Sequence, residues 1–397
     1  MKRRLRDLTA ADLRGKRALV RVDYNVPLDE KGEVGDATRI AATLPTLRYL
    51  LERGAVPVLM SHLGRPEGAV DPGLSLASVA PVLERQLGRQ VRFVGTPDTG
   101  AALEAVEGKG AASVILTENL RFHPGETSDD PEFARRVARL GDLYVNDAFG
   151  ASHRSHASIT SIARELRPAV MGLLVEREVE MLSRLRASPE SPYVTVFGGA
   201  KISDKIGLIR RSLGQADRVL VGGGMANTLL AALGHGMGRS LVEASVLDEA
   251  RALLDAGGEK LELPTDLVVA SGPDDPDSAN VVAADAVPEH TMALDVGPET
   301  RGSYRDVVES ARTVFWNGPL GYFEEARFRE GTDELAASIA RVTGRGAFTV
   351  VGGGDSARAV RAAGVAERIS HVSTGGGASI RFLADGTLPG LESLEDA

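Results

Sequence analysis

The chain has 397 residues, 43% hydrophobic and 25% charged, which is the balance of a globular protein too long for one ordinary core, so two domains are expected. A net charge of −9 with only 4% aromatic residues argues against a nucleic-acid surface, a base-stacking platform or an anionic-membrane surface. Cysteine is absent, which excludes disulfides and thiolate metal sites.

The opening MKRRLRDLTAADLRGKR is basic with no apolar segment behind it, and no run approaches membrane-spanning length, so a cytoplasmic location is expected. RALVRVD then reads as a strand leading to a helix that begins TRIAATLPTLRYLLERG. AVPVLMSH leads to SLASVAPVLERQLG, and SVILTEN to PEFARRVARLG, with LYVND following. Strands alternating with helices of this size predict βαβ units and a mostly parallel sheet.

RPAVMGLLVEREVEMLSRLRASPESP interrupts the alternation. Val170, Leu173, Leu174, Val179, Leu182 and Leu185 recur near helical spacing, and Ser188, Pro189, Ser191 and Pro192 end the pattern. The expectation is a long hinge helix over 171–187, joining a domain at 1–170 to a second at 188–382. Beyond it, YVTVFGG leads to SDKIGLIRRSLGQ, RVLVGGG to MANTLLAALGHG, and LVVA, RTVFWNG and AFTVVGGG continue the pattern. The fold class is therefore α/β, with two doubly wound, Rossmann-like parallel-sheet domains.

Ligands of open parallel sheets bind beyond the C-terminal strand ends. In the first half those positions hold Asp23 and Asn25, His62 and Arg65, Arg121 and His123, then His153, Arg154 and His156, while Arg39 opens the first long helix. Arg forks match phosphate and carboxylate oxygens in two-point geometry, so this half reads as a site for a small, highly anionic molecule. His153 and His156 lack the further ligands a zinc site needs, which favours anion-binding or supporting roles.

In the second half the strand ends are glycines: Gly198–Gly199, Gly222–Gly224, Gly352–Gly354 and Gly375–Gly377. Glycine lets backbone N–H groups approach a ligand, and a following helix start adds partial positive charge, so together they suggest a polyphosphate cradle. VFGGAKISDKI is not a P-loop; Lys201 and Lys205 stand one turn apart, as if on one face of a helix beginning there. GGGDSA loosely fits a dinucleotide fingerprint, but the ribose-binding acidic residue expected further on is missing from ISHVSTGGG. Asp355 reads either as a helix cap or as a carboxylate reaching Mg²⁺ on nucleotide phosphates. Glu324 in WNGPLGYFE reads either as a ribose contact or as a surface ion pair.

VRVDYNVPL, SHLGRP, ENLRFHPGE, VNDAFGASHRSHAS, GGAKISDKI, GGGMANT, WNGPLGYFE, GGGDS and STGGGAS resemble, in order, the signature segments of the phosphoglycerate kinase family. The resemblance covers essentially the whole chain. It implies a monomeric hinge enzyme of glycolysis that interconverts 1,3-bisphosphoglycerate plus ADP with 3-phosphoglycerate plus ATP, using Mg²⁺ and closing its domains around the substrates. It implies that Asp23, Tyr24, Asn25, Arg39, His62, Leu63, Gly64, Arg65, Arg121 and Arg154 bind the phosphoglycerate. Nucleotide binding is implied for Gly198, Gly199, Ala200, Lys201, Lys205, Ala293, Asn317, Pro319, Glu324, Gly353, Gly354, Asp355 and Ser356, with Asp355 also metal-associated. Arg39, Lys205, Gly375 and Gly376 match the family's catalytic positions, and a tail from about 383 to 397 matches one that returns to the first domain.

Three positions depart from the family pattern. Tyr24 replaces the usual Phe, Ala293 stands where Gly is common, and Arg381 where an acidic residue is frequent. Two rival readings, a dinucleotide-dependent dehydrogenase and a non-catalytic anion-binding module, each leave residues unexplained: the first lacks its ribose carboxylate, and the second leaves Lys201, Lys205 and Asp355 idle.

Overall fold

Largely apolar runs of four or five residues form the central strands, because a parallel sheet buried on both faces tolerates a near-continuous hydrophobic stretch. The computed structural model describes residues 2–96, 100–107 and 114–397. It divides into two units, Met1–Glu180 together with Thr387–Ala397, and Met181–Gly386. No helix among the described residues is long and apolar enough to cross a membrane.

The first unit holds β1 (Arg17–Arg21), β2 (Val56–Met60), β3 (Val91–Val94), β4 (Val114–Thr117), β5 (Leu143–Asn146) and β6 (Ala169–Met171). They pair in the order β3-β4-β2-β1-β5-β6, parallel throughout. β1 lies at the centre, with Leu19 opposite Val58 on one side and Tyr144 on the other, all three fully buried. The helix Thr38–Glu52 then covers the sheet with Ile40, Leu47 and Leu50 in the core.

Val170 and Met171 were expected to open the long helix; they belong instead to β6 at the sheet edge, where Val170 pairs with Val145. The helix runs over Leu173–Ala187. The edge of β5 offers Val170 a hydrogen-bonded place that helical spacing alone does not reveal, and the chain turns at Gly172, whose N–H donates to Asn146 C=O (2.9 Å). The Asp147 carboxylate then accepts from the Leu174 N–H (3.0 Å), fixing the helix start. The division between the two units falls within this helix.

Residues 387–397 pack in the first unit. Leu388, Leu391 and Leu394 are buried, Arg3 N–H donates to Glu395 C=O (2.8 Å), and Asn146 Nδ2 donates to Gly390 C=O (3.1 Å).

The second unit holds β7 (Tyr193–Phe197), β8 (Arg218–Val221), β9 (Leu261–Glu262), β10 (Asp266–Ala270), β11 (Asn280–Ala283), β12 (Met292–Val296), β13 (Thr313–Asn317), β14 (Phe348–Gly352) and β15 (His371–Val372). Six of these form a parallel sheet in the order β15-β14-β13-β7-β8-β9. β10, which carries LVVA, leaves the alternation and forms an antiparallel sheet in the order β11-β10-β12. A parallel crossover needs about a dozen residues or more, and only residues 271–279 separate β10 from β11.

Candidate functional site

In the first unit the strand ends deliver a cluster of cations. Arg39, in the first turn of the helix Thr38–Glu52, donates from Nη1 to Asp23 Oδ2 (2.6 Å). Asn25 Oδ1 accepts the Gly64 N–H (2.9 Å), and Arg121 Nη1 donates to Gly64 C=O (2.7 Å), so the loops after β1, β2 and β4 are tied together at Gly64. Gly64 has φ +62°, and a Cβ there would come within 2.7 Å of Leu74, so no other residue fits this junction without a shift.

The electrostatics show too few counter-charges. Burial pushes the Arg121 guanidinium down to about 10, with Arg154, Arg21 and Arg65 adding to the effect. Arg154 is lowered by burial and by Arg65, and His62 is held well below its ordinary value by burial, Arg21, Arg121 and Arg154. A bound anion would relieve all three groups, which is the chemical content of a cationic cluster in an acidic protein.

Sequence reading missed the support beneath this face. Arg21, fully buried at the end of β1, donates to Ser158 Oγ (2.8 Å), to His62 Nδ1 (3.2 Å) and to Val22 C=O. Glu126, equally buried, accepts from Ser158 Oγ (2.6 Å) and lies 3.7 Å from His156 Nδ1 and 3.9 Å from Arg21. Burial raises the Glu126 carboxyl, but His156, Arg21 and Ser158 together bring it below its ordinary range. The only signal was a charge closing the apolar run RALVR.

Tyr24 and Leu63 lie apart from any exposed face. Tyr24 is fully buried with its hydroxyl 2.9 Å from Thr43 Oγ1, and Leu63 is buried with its carbonyl accepting from Asn119 Nδ2 (2.7 Å). His123 stacks on Phe133 (4.3 Å) and accepts the Gly125 N–H, a structural role. Among the described residues no group of three or more His, Cys, Asp or Glu is placed to hold a metal ion.

In the second unit the loop after β7 meets the loop after β13: Gly198 N–H donates to Asn317 C=O (3.0 Å) and Gly199 N–H to Pro319 C=O (2.8 Å). Lys205 Nζ donates to Gly198 C=O (2.7 Å) and Asn317 C=O (3.2 Å). Burial pulls its ammonium down to about 8, partly offset by Asp355 and Asp204. Lys201 and Lys205 do not share a helix face, because the helix starts only at Ile206, with Lys205 as its cap. The Glu243 carboxylate takes the N–H groups of Ile202 (2.9 Å) and Ser203 (3.1 Å), so this stretch stays a turn and Lys201 is left exposed.

Ser356 Oγ accepts the Gly318 N–H (2.6 Å), and Gly353, at φ +96°, leads into the helix Gly354–Ala362. Gly375 N–H donates to Ser373 Oγ (3.1 Å), and Gly376, at φ +48°, caps the helix Gly377–Asp385. A cavity of about 430 Å³ opens beside these loops, lined by Gly199, Ala200, Ala293, Pro319, Glu324 and Asp355 from the expected set. Its apolar wall, with Leu241, Pro273, Met292, Leu294 and Phe323, was not foreseen. Much of that wall comes from the antiparallel sheet, from β12 and the loop after β10; of its strands the pattern marks only β10, as LVVA.

Glu324 and Asp355 are joined by Arg358, whose Nη2 donates to Glu324 Oε1 (2.8 Å) and to Asp355 Oδ1 (3.1 Å). Asp355 is not the helix cap, which is Gly353, but a carboxylate of the first turn. Asp355, an exposed carboxylate already paired with Arg358, fits Mg²⁺ shared with nucleotide phosphates rather than a metal caged by protein ligands.

A sequence profile of the phosphoglycerate kinase family matches residues 7–386. The chain is 51% identical over 401 residues to a phosphoglycerate kinase of Desulforudis audaxviator, covering 100% of both chains. It is 52% identical over 395 residues to one of Thermus thermophilus, covering 98% of this chain and 100% of the relative. Among solved structures, phosphoglycerate kinase from Coxiella burnetii matches with TM-score 0.85 and 38% identity over 99% of this chain and 98% of that one. The enzyme from Pyrococcus horikoshii matches with TM-score 0.87 and 32% identity over 98% of each.

Proposed function

The chain belongs to the phosphoglycerate kinase family, a phosphotransferase family with a carboxyl group as acceptor, and on that premise we propose a division of its reaction between the two units. The phosphoglycerate binds at the cationic strand ends of the first unit, through Asn25, Arg39, His62, Arg65, Arg121 and Arg154. ADP or ATP binds in the cavity of the second. The observation that carries this reading is the pairing of an under-compensated cation cluster with a glycine-walled, half-apolar cavity.

In the glycolytic direction a terminal oxygen of ADP attacks the acyl phosphorus. The phosphorus–carboxylate bond breaks, and 3-phosphoglycerate leaves as a carboxylate that needs no strong general acid. The protein's share is positioning and charge stabilisation. Arg39 and Lys205 serve as the cations on the transferring group, and the Gly375–Gly376 backbone supplies further donors. Asp355 would hold Mg²⁺ together with the nucleotide phosphates, and the metal when bound neutralises phosphate charge. The setting proposed is a cytoplasmic monomer acting on small molecules, in keeping with the family to which the chain belongs.

Arg39→Ala and Lys205→Ala should each lower kcat by about 10²–10³, the cost of losing one preorganised contact to developing charge. A coupled assay of ADP release from ATP and 3-phosphoglycerate measures it. Near-full turnover at saturating substrate would remove the affected residue from its role.

A further inference from the structure

Arg358 belongs to none of the segments that carry the family resemblance, yet it reaches the charged wall of the cavity. It follows Asp355 by three residues on the helix Gly354–Ala362, so the two side chains share a face. One guanidinium nitrogen bonds both Asp355 (3.1 Å), in the first turn of this helix, and Glu324 (2.8 Å), in the loop after β13, and both carboxylates line the same cavity. Its Cζ sits 4.7 Å above the centre of the Phe323 ring, another wall residue, so stacking holds the fork in place.

Resting on the reading that a nucleotide occupies this cavity, we propose that Arg358 is a built-in counter-cation that makes nucleotide binding less dependent on the divalent metal. Two carboxylates facing a nucleoside diphosphate repel it. Arg358 offsets one of their two negative charges and so favours metal-free ADP. When the nucleotide brings Mg²⁺, the metal needs Asp355, and Arg358 becomes both a competitor for that carboxylate and a like charge beside the ion. The same side chain therefore acts with opposite sign on the two forms of the ligand, a coupling between nucleotide and metal set by one residue.

Calorimetric titration of ADP into the full chain, in EDTA and in saturating Mg²⁺, reads this coupling without turnover. In Arg358→Ala, metal-free ADP should bind about three-fold more weakly and Mg-ADP about three-fold more tightly, the scale of one exposed ion pair. The ratio of the two Kd values then widens about ten-fold. Arg358→Lys, which keeps the charge but loses the fork, should fall between. An unchanged ratio in the alanine variant overturns the proposal, as does a lysine variant that shifts as far as alanine. If the wild-type protein binds ADP in neither buffer, the cavity assignment itself falls, and the counter-cation with it.

Discussion

Lys205 is held by two backbone carbonyls in a setting that disfavours its charge, and this gives it a readable pH signature. Its ammonium lies near 8 in the folded chain, against an ordinary value of 10.5. Between those values the unfolded chain binds more protons, so Lys205 makes stability rise with pH across that window. Activity moves the other way: a charged Lys205 is required, so kcat/KM should fall as pH climbs through about 8. Urea midpoints from pH 7 to 10.5 should rise less steeply in Lys205→Met than in the wild-type protein. Identical slopes would show that the ammonium is not displaced. At this scale the legible residues were those whose charge stands at a strand end or a helix start, such as Arg121 and Arg154 for the first and Arg39 for the second. Arg21 and Glu126 were invisible because a buried, paired charge looks the same in a sequence as a solvated one. The burial of Tyr24 was hidden for the converse reason, since a residue between two polar neighbours in a signature can still point its side chain into the core.

Among the loops, the glycines separate into those that packing demands and those that only a ligand would demand. At Gly198 a Cβ would come within 2.1 Å of Pro319 C=O and 2.7 Å of Gly318 C=O, both rigid backbone at the β7–β13 junction. At Gly354 a Cβ meets nothing within 4 Å and the backbone is unstrained. Gly198→Ala should therefore cost about 1–3 kcal/mol of stability, as overpacking does. Gly354→Ala should leave the unfolding free energy within about 0.5 kcal/mol of wild type, as unobstructed sites do, while weakening ADP binding. Were Gly354→Ala to bind ADP as the wild-type protein does, that backbone would have no place at the phosphates. The central strands of both parallel sheets were legible because they are largely apolar runs separated by helices, whereas the edge strands β3, β6, β9 and β15 were not. The antiparallel β10–β12 sheet was not, because LVVA reads alike in either kind of sheet and only the short loop to β11 decides. The start of the helix at Ile206 was hidden for a different reason: it depends on Glu243, a carboxylate far along the chain that claims the preceding N–H groups.

For the whole molecule, the first unit is completed by the last residues of the chain, a closure no local pattern encodes and that entered the sequence reading only through the family resemblance. Leu388, Leu391 and Leu394 are 0%, 4% and 3% exposed, and all three sit in the first unit. Burial of a leucine contributes about 1.5–3 kcal/mol, so the three together rival the about 5–15 kcal/mol that holds a whole domain folded. The helix Gly377–Asp385 and Gly386 remain with the second unit, so a chain ending at Gly386 removes the tail and nothing else of that unit. The single tryptophan, Trp316, is fully buried in β13 of the second unit and reports on that unit alone. In the chain ending at Gly386, far-UV circular dichroism should show part of the structure melting at much lower urea. Trp316 emission and ADP binding should persist to near the wild-type midpoint. If the Trp316 transition moved down with the rest, the two units would not unfold as separate bodies, and the tail would be stabilising the whole chain rather than the unit it packs in.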